Sequence, residues 1–369
     1  MKNKTTWLLY IVIFPIIYLS GCGNYVGWPS DTDVTSTGTS SMLQSTMQQS
    51  DLQKSWHADG DRVYLFAKNQ TVYQFNTEKN TIEKIAKVPF INEEPFNCVT
   101  DGVNLYYAIP EYPADYTYQL SDYFPRKVYK KNIQTEQPQV LDNHEISSLW
   151  IDHGNLYIQQ TPESAEKDCS VYMFHQNGTK QNVVTIMGYI PNSNVVMYED
   201  SIIYCSRKNY NEDYMLYRFS DSAIEPILEE PLECNNLMIY QGYIYGVNRL
   251  YKNQIAYDQL FKIHLQTRTK QVLYETQTLD QVEQDSYFGY LIYQNHIYFS
   301  CGKGTYKMDL NGEQQTLLFN KSYNRMRFIY NDQLYVYQPK VYSYLVTPLD
   351  EYELFSVDLN TAEITNYHF

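Results

Sequence analysis

The sequence predicts an all-β fold, a seven-bladed β-propeller of four-stranded blades, from its tyrosine content and an internal repeat. Tyrosine accounts for 39 of the 369 residues, and tyrosine favours β-strands. A polar turn followed by an apolar-Tyr-apolar strand recurs seven times, at separations of 37 to 53 residues with a mean of about 45. Self-similarity with this period is typical of propellers and other repeat arrays. The seven matched tyrosines are Tyr64, Tyr106, Tyr157, Tyr204, Tyr245, Tyr298 and Tyr335.

A second motif follows each copy and completes a four-stranded unit. Its ring positions are Tyr73, Tyr129, Tyr172, Tyr217, Phe261, Tyr306 and Phe355. A polar turn and a third apolar segment come next, and a fourth apolar segment precedes the opening turn, so each unit has strands A to D. Runs such as NLYYAI and IYFS are apolar on both faces, as in sheets that are covered on both sides. A closed ring of seven units buries these faces. An open β-solenoid is the alternative, but its repeats are normally shorter than about 45 residues.

One segment carries a resemblance to known proteins. The stretch IYFSCGKGTYKMDLNGEQQTLL runs from Ile297 to Leu318. With the repeat pattern over most of residues 55–369, it makes the chain similar to bacterial propeller lipoproteins, and more distantly to the YWTD propellers of lipoprotein receptors. No copy contains the Tyr-Trp-Thr-Asp tetrapeptide itself. The resemblance therefore implies a fold and supplies no binding site.

The N-terminal residues predict export and a lipid anchor. Residues 7–18 are apolar but too few to span a bilayer of roughly 30 Å as a helix. They lead into Leu-Ser-Gly-Cys, which resembles the lipobox of bacterial lipoproteins. That resemblance implies cleavage after residue 21 and acylation of Cys22, which would hold the protein on the outer face of the cell membrane. The alternative is an ordinary secretory signal with an incidental Cys22. Residues 22–50, rich in Ser, Thr and Gln, are expected to form a flexible tether to a propeller over residues 51–369.

Charge and cysteine content limit the partners and cofactors. The net charge is −14, and removing Lys2 and Lys4 with the signal peptide makes it −16. Such a surface repels polyanions, which excludes nucleic acid and peripheral docking on anionic lipid. We expect a monomeric body. The remaining cysteines form no C-x-x-C pair and no zinc spacing, so we interpret them as small apolar residues within strands. Their disulfide state and the mode of ring closure stay open. They are Cys98, Cys169, Cys205, Cys234 and Cys301.

The loops predict where function lies. In a four-stranded meander the A–B and C–D turns share one face of the ring. The B–C and D–A connections share the other face, here named the loop face. The first set is short, whereas the second includes the B–C segments 108–127, 247–259 and 338–352 and the D–A segments 86–97 and 275–287. Elaboration of one face is typical of recognition. The candidate binding residues are Tyr112, Tyr116, Tyr118, Tyr123, Tyr251, Tyr342 and Tyr344. Alternatively, these tyrosines only cover the blade ends.

Catalytic signatures are absent from the sequence. We interpret His153 and His296 as A–B turn residues, and His175 and His264 as polar turn residues after strand C. We find no serine-nucleophile elbow, phosphate loop or calcium loop, and so predict no catalytic residue, metal or cofactor. The favoured function is a membrane-anchored extracytoplasmic binding or scaffolding module for a protein or glycan. The alternative is an exported carbohydrate-active enzyme, a hydrolase or lyase. Such chemistry needs only two carboxylates, and candidates are Glu93, Glu94, Asp115 and Asp122.

Overall fold

The computed structural model contains 29 β-strands and no helix in the part of the chain that it describes. The described residues are 45–46, 56–59, 62–66, 71–87, 96–110, 126–135, 137–142, 146–152, 155–160, 169–175, 179–186, 195–198, 201–207, 213–220, 223–253, 255–277, 289–301, 303–320, 326–339 and 352–367. Across these ranges, no helix is long and apolar enough to cross a membrane.

Strand β1 (Ser45–Thr46) precedes seven groups of four strands, each listed in the order A to D. Blades 1 to 3 are β2 (Trp56–Asp59), β3 (Arg62–Phe66), β4 (Thr71–Asn76), β5 (Thr81–Lys87); β6 (Phe96–Thr100), β7 (Asn104–Pro110), β8 (Arg126–Asn132), β9 (Gln139–Asp142); and β10 (Ile146–Asp152), β11 (Asn155–Gln160), β12 (Cys169–Phe174), β13 (Lys180–Ile186). Blades 4 and 5 are β14 (Val195–Tyr198), β15 (Ser201–Ser206), β16 (Met215–Ser220), β17 (Ala223–Pro226); and β18 (Cys234–Tyr240), β19 (Tyr243–Lys252), β20 (Ile255–His264), β21 (Lys270–Gln277). Blades 6 and 7 are β22 (Gly289–Tyr293), β23 (His296–Cys301), β24 (Gly304–Asp309), β25 (Thr316–Phe319); and β26 (Met326–Tyr330), β27 (Gln333–Pro339), β28 (Tyr352–Asp358), β29 (Ile364–Tyr367).

The strand pairing confirms the predicted seven-bladed propeller. Every blade is an antiparallel sheet whose four strands follow one another in sequence order. The sheet of blade 6 has a fifth strand, because β1 pairs with the free edge of β22, with Ser45 opposite Tyr293 and Thr46 opposite Ile292. β1 also contacts β18 and β26, the A strands of the two adjoining blades. Residues 45–46 thus lie against the inner strands of the ring, although they fall within the predicted tether.

The blades are joined by apolar clusters between their faces. One cluster combines Ile203 of blade 4 with Ile244 of blade 5, and another combines Leu291 of blade 6 with Leu334 of blade 7. A further cluster closes the ring between blade 7 and blade 1 and contains Phe75. Ring closure therefore relies on side-chain packing between two blades that are each continuous in sequence. No described strand of blade 1 or blade 7 is exchanged between the two sheets.

The repeated strand-B tyrosines are all buried, but one is out of register with the others. Tyr245 and Tyr298 pack on the following blade, in the clusters shared with blades 6 and 7. Tyr204 instead packs on the preceding blade, in a cluster with Tyr157. Its neighbour Ile203 takes the position equivalent to Tyr245, because Tyr198 pairs with Ser201 at the turn just as Tyr240 pairs with Tyr243. A shift of one residue reverses the face of a strand, so the sequence match of Tyr204 was wrong.

The A–B and C–D turns, which lie on the face opposite the loop face, contain the residues and hydrogen bonds expected of tight turns. Both central residues of the A–B turns have positive φ in blades 5, 6 and 7, as in the hairpin turns that suit the twist of a sheet. The last residue of strand C accepts a hydrogen bond from a backbone N–H of the following turn. This occurs at Asn76, Asn132, His264, Asp309 and Asp358. His264, predicted to be a turn residue after strand C, is instead the last residue of strand C, and its ring caps that turn.

The A–B turn of blade 2 is organised by one carboxylate. Asp101 Oδ1 accepts the backbone N–H groups of Val103 at 2.9 Å and Asn104 at 2.6 Å, and Oδ2 accepts the Tyr106 hydroxyl at 2.8 Å. Burial raises the pKa of Asp101, but the hydrogen bonds from Asn104, Tyr106 and Val103 together outweigh burial and leave the pKa below its ordinary value. The folded state therefore favours the ionised carboxylate.

We expect Asp101→Asn to lower the free energy of unfolding by about 1–2 kcal/mol at pH 7, since charge-assisted hydrogen bonds are lost. A depressed folded-state pKa stabilises the protein above the unfolded-state pKa of about 4 and ceases to do so as the pH falls through the folded-state value. The urea unfolding energies of wild type and variant should therefore converge at acid pH. A difference that stays constant with pH would contradict this reasoning. Val103→Ala in the same turn is the control and should show no such pH dependence.

Candidate functional site

Of the seven tyrosines predicted to form the binding face, only Tyr251 lies within the described residues. Tyr112, Tyr116, Tyr118, Tyr123, Tyr342 and Tyr344 fall outside them, as do Cys22 and the acidic candidates Glu93, Glu94, Asp115 and Asp122. The site is therefore built from the loop-face ends of blades 4 and 5, which the structure describes.

The connection at 247–259 is a β-hairpin and not the predicted irregular loop. Strands β19 and β20 are ten residues long and stay paired from Tyr243 opposite His264 to Lys252 opposite Ile255. The A strand of this blade pairs only as far as Asn248. The segment 249–258 therefore extends beyond the A strand on the loop face, and is here named the blade 5 hairpin. The segment, RLYKNQIAYD, lacks strict alternation of apolar and polar residues, so its sequence did not indicate two paired strands.

Ion pairs on both faces stabilise the blade 5 hairpin. Arg249 binds Asp258 through two hydrogen bonds, Nε to Oδ1 at 2.9 Å and an Nη atom to Oδ2 at 3.2 Å. This fork geometry fixes the orientation of both side chains. On the other face, Lys252 Nζ binds both carboxylate oxygens of Glu275 at 2.7 and 2.8 Å. Hydrogen bonds from Lys252, and then from Gln259, hold the pKa of Glu275 below its ordinary value. The hairpin is therefore tied to strand D of its own blade.

The tip of the blade 5 hairpin exposes apolar side chains. Tyr251 is 66% exposed and Ile255 is 39% exposed. Their cross-strand partners are Ala256 and Lys252, in adjacent pairs of the ladder, so Tyr251 and Ile255 project from opposite faces. A tyrosine that is exposed on a stiff hairpin loses little conformational freedom when it binds, and its ring can stack on a sugar or fill a pocket in a protein.

Glu233 and Arg207 lie near Arg249 of the hairpin, at the junction of blades 4 and 5. Desolvation raises the pKa of Glu233, while the charges of Arg207 and Arg249 oppose that rise. Arg207 follows strand B of blade 4 and its guanidinium lies 4.8 Å from the centre of the Tyr214 ring. Glu233 directly precedes strand A of blade 5. The sequence did not indicate this group, because its members come from three separate parts of the chain, near β15, β18 and β19.

The segment 227–233 holds Glu233 in place. The backbone N–H of Ile227 donates to the Leu216 carbonyl at 2.8 Å, and that of Leu232 donates to the Tyr214 carbonyl at 2.8 Å. The side chains of Ile227, Leu228 and Leu232 are buried. The D–A connection is thus packed against strand C of blade 4. Within the described ranges, no group of three or more His, Cys, Asp or Glu side chains can hold a metal ion.

Comparison with known proteins supports the fold. No protein-family model matches the sequence, and no curated protein matches it significantly. Among solved structures, oligogalacturonate lyase from Vibrio parahaemolyticus superposes with a TM-score of 0.51 at 10% identity, over 77% of this chain and 85% of the lyase. An acylaminoacyl peptidase in complex with Z-Gly-Gly-Phe-chloromethyl ketone gives 0.50 at 13% identity, over 84% of this chain and 51% of the peptidase. The β-propeller domain of the Trilobed protease from Pyrococcus furiosus gives 0.49 at 13% identity, over 84% and 93%. At these identities the similarity shows a propeller fold alone.

Proposed function

We propose that this protein is an exported, membrane-anchored binding or scaffolding propeller that recognises a protein or glycan partner through its loop face. The observation that carries the proposal is the blade 5 hairpin. It extends past the A strand of its blade, is stiffened by the Arg249–Asp258 and Lys252–Glu275 ion pairs, and exposes Tyr251 at its tip. A stiff element with an exposed aromatic side chain is a typical anchor for recognition.

The contrast between the two faces of the ring supports this assignment. In blades 5 to 7 the A–B turns use two residues with positive φ, the shortest hairpin connection. The loop face of blade 5 instead has paired strands that run on for four further residues beyond Asn248. Extra structure on one face of a repeat scaffold is most simply explained by a partner on that face.

A binding screen with the mature chain tests the proposal. Chemical cross-linking in cells, followed by mass spectrometry, identifies protein partners, and a glycan array covers carbohydrate partners. We expect one class to give saturable binding without turnover, and the contact peptides to include residues 249–258. Specific binding that maps only to the A–B turn face would contradict the proposed surface.

A carbohydrate-active enzyme is the second candidate, and Glu233 is the observation that favours it. Glu233 is an exposed residue, yet partial desolvation raises the pKa of its carboxyl group, and a raised pKa is a property of carboxylic acids that donate protons in catalysis. Similarity to oligogalacturonate lyase extends to the fold only, at 10% identity. Release of reducing sugar by wild type that disappears in Glu233→Gln would favour the enzyme over the binding module. Equal glycan binding by both proteins with no product would favour binding.

The membrane anchor is a separate part of the proposal and depends on Cys22. We expect Cys22→Ala to move the protein from the membrane fraction to the soluble exported fraction, because the acyl chains that hold it in the bilayer can no longer be attached. Fractionation and detection of incorporated radioactive palmitate measure the change. Cys169→Ala is the control and should remain in the membrane fraction. Continued membrane attachment of Cys22→Ala would contradict the lipobox interpretation.

A further inference from the structure

Two cysteines lie together at the interface of blades 4 and 5. Cys205 belongs to β15, strand B of blade 4, and Cys234 is the first residue of β18, strand A of blade 5. Both side chains are fully buried and belong to the same apolar cluster, which joins these two blades. Both also lie near the loop-face ends of their strands. Both residues therefore lie at the interface of blades 4 and 5, near its loop-face end.

The backbone between the two residues brings their thiols close together. The Cys205 thiol donates a hydrogen bond to the Leu232 carbonyl at 3.2 Å, and Leu232 is only two residues before Cys234. Leu232 is itself held on blade 4 through the Tyr214 carbonyl. Burial, and then the neighbouring Cys205 thiol, raise the pKa of Cys234. The Leu232 backbone thus holds Cys234 near Cys205.

The other two cysteines with described side chains have different surroundings. The Cys169 thiol donates to the Gln160 carbonyl at 3.0 Å within blade 3, and Cys301 lies 3.8 Å from the Tyr274 hydroxyl. All four of these cysteines are buried free thiols in the structure, and the contacts of Cys169 and Cys301 are to a carbonyl and to a hydroxyl group. Cys169 and Cys301 therefore serve as matched controls for the chemistry of Cys205 and Cys234.

We infer that Cys205 and Cys234 form a disulfide that covalently joins blade 4 to blade 5, through exchange with a small-molecule or protein disulfide. One protein thiolate attacks a sulfur of the oxidant disulfide and displaces a thiol, which gives a mixed disulfide. The second protein thiolate attacks the protein sulfur of that bond and displaces the second thiol. In total, two protein thiols become one S–S bond, and the oxidant is reduced to two thiols that take up the two protons.

The burial of both thiols determines when the exchange takes place. Exchange requires a thiolate that the oxidant can reach, and in the folded ring both side chains are inaccessible and the pKa of Cys234 is raised. The bond therefore forms while blades 4 and 5 are still docking, and the same burial then protects it from reductants. The inference goes beyond the proposed function, since it needs neither a partner nor an anchor.

Refolding of the full mature chain in glutathione redox buffer tests the inference. After alkylation of free thiols and proteolysis, we expect mass spectrometry to find one linked peptide pair that contains Cys205 and Cys234, with alkylated Cys169 and Cys301. The same oxidant added to folded, reduced protein should form the bond at least ten times more slowly. The oxidised protein should unfold roughly 5 °C higher than the reduced one, because the bond closes a long loop in the unfolded chain.

Cysteine variants test whether the higher melting temperature of the oxidised protein comes from this disulfide. Cys205→Ala and Cys234→Ala should lose the difference in melting temperature between oxidised and reduced samples, while Cys169→Ala and Cys301→Ala should keep it. Full alkylation of Cys205 and Cys234 after oxidative refolding of wild type would overturn the inference. A linked peptide that joins either residue to a different cysteine would overturn it as well. Neither of these results requires any variant to fold.

Discussion

Removal of residues 364–369 is expected to lower the free energy of unfolding of the whole ring by at least about 3 kcal/mol. The deletion removes β29, which pairs with β28 from Leu354 opposite Tyr367 to Val357 opposite Ile364. It also removes the Tyr367 ring, which lies 5.1 Å from the Phe75 ring of blade 1. Loss of a large aromatic side chain from a packed interface costs about 3–5 kcal/mol. The effect reaches every blade, because this interface closes the ring.

Thermal and urea unfolding of the truncated protein measure this effect. Two matched variants distinguish the loss of the contacts that close the ring from the loss of strand β29 itself. Tyr367→Phe keeps the ring contacts with Phe75 and Tyr335 and loses the hydroxyl, which contacts Ser356 at 3.1 Å and hydrogen-bonds with Tyr335. It should therefore be destabilised by about 1–2 kcal/mol, less than the truncated chain. Phe75→Ala removes the blade 1 side of the same interface and should reproduce most of the decrease in the free energy of unfolding. Unchanged unfolding of the truncated chain would refute closure through packing of blade 7 on blade 1.

Replacement of Tyr251 by Ala is expected to weaken partner binding by about 30-fold or more, with little change in stability. The side chain is 66% exposed, so its loss creates no cavity in the ring. An aromatic anchor at the centre of an interface commonly contributes 2 kcal/mol or more to binding, which is a factor of about 30. Titration of the partner identified by the binding screen, followed by calorimetry, measures the affinity directly.

Three comparison variants show which part of the surface is used. Tyr251→Phe keeps the ring and should retain most of the affinity. Ile255→Ala probes the opposite face of the same hairpin tip, and a smaller loss there would place the partner on the Tyr251 side. Val103→Ala changes a side chain that is 59% exposed in an A–B turn, on the face opposite the loop face, and should not change the affinity for the partner. Equal affinities for wild type and Tyr251→Ala would contradict the proposal that the blade 5 hairpin is part of the binding site.

Strand assignment was predictable wherever one blade repeats the pattern of another. All seven predicted strand-B tyrosines are buried, and every blade has the predicted four strands. The register of Tyr204 and the nature of segment 247–259 were both predicted wrongly, for one physical reason. A local pattern of apolar residues does not specify which residues of two strands pair with each other. Tyr204 lies one residue beyond the equivalent position, because two isoleucines precede it and either register gives an apolar strand. The segment 247–259 was interpreted as a loop, because the length of a hairpin depends on which residues pair across it.

The candidate site was less predictable than the fold. Tyr251 was anticipated and is exposed, whereas Glu233 and Arg207 carry no motif and become neighbours only when blades 4 and 5 dock. The same holds for Cys205 and Cys234, which were interpreted as small apolar residues within strands, with their disulfide state left open, and which lie in one cluster. Contacts between blades join residues far apart in the chain, and no local periodicity encodes them.

The sequence by itself determined the number of blades, their four strands and the face that bears elaborated connections, because each blade repeats one apolar pattern whose burial requires neighbours on both sides. Only the tertiary structure decided how the ring closes, since Phe75 and Tyr367 are almost 300 positions apart in the chain and meet through packing alone. It also decided which side chains share the junction of blades 4 and 5. That junction is set by how two complementary apolar faces fit together, and such a fit is a property of the folded surfaces.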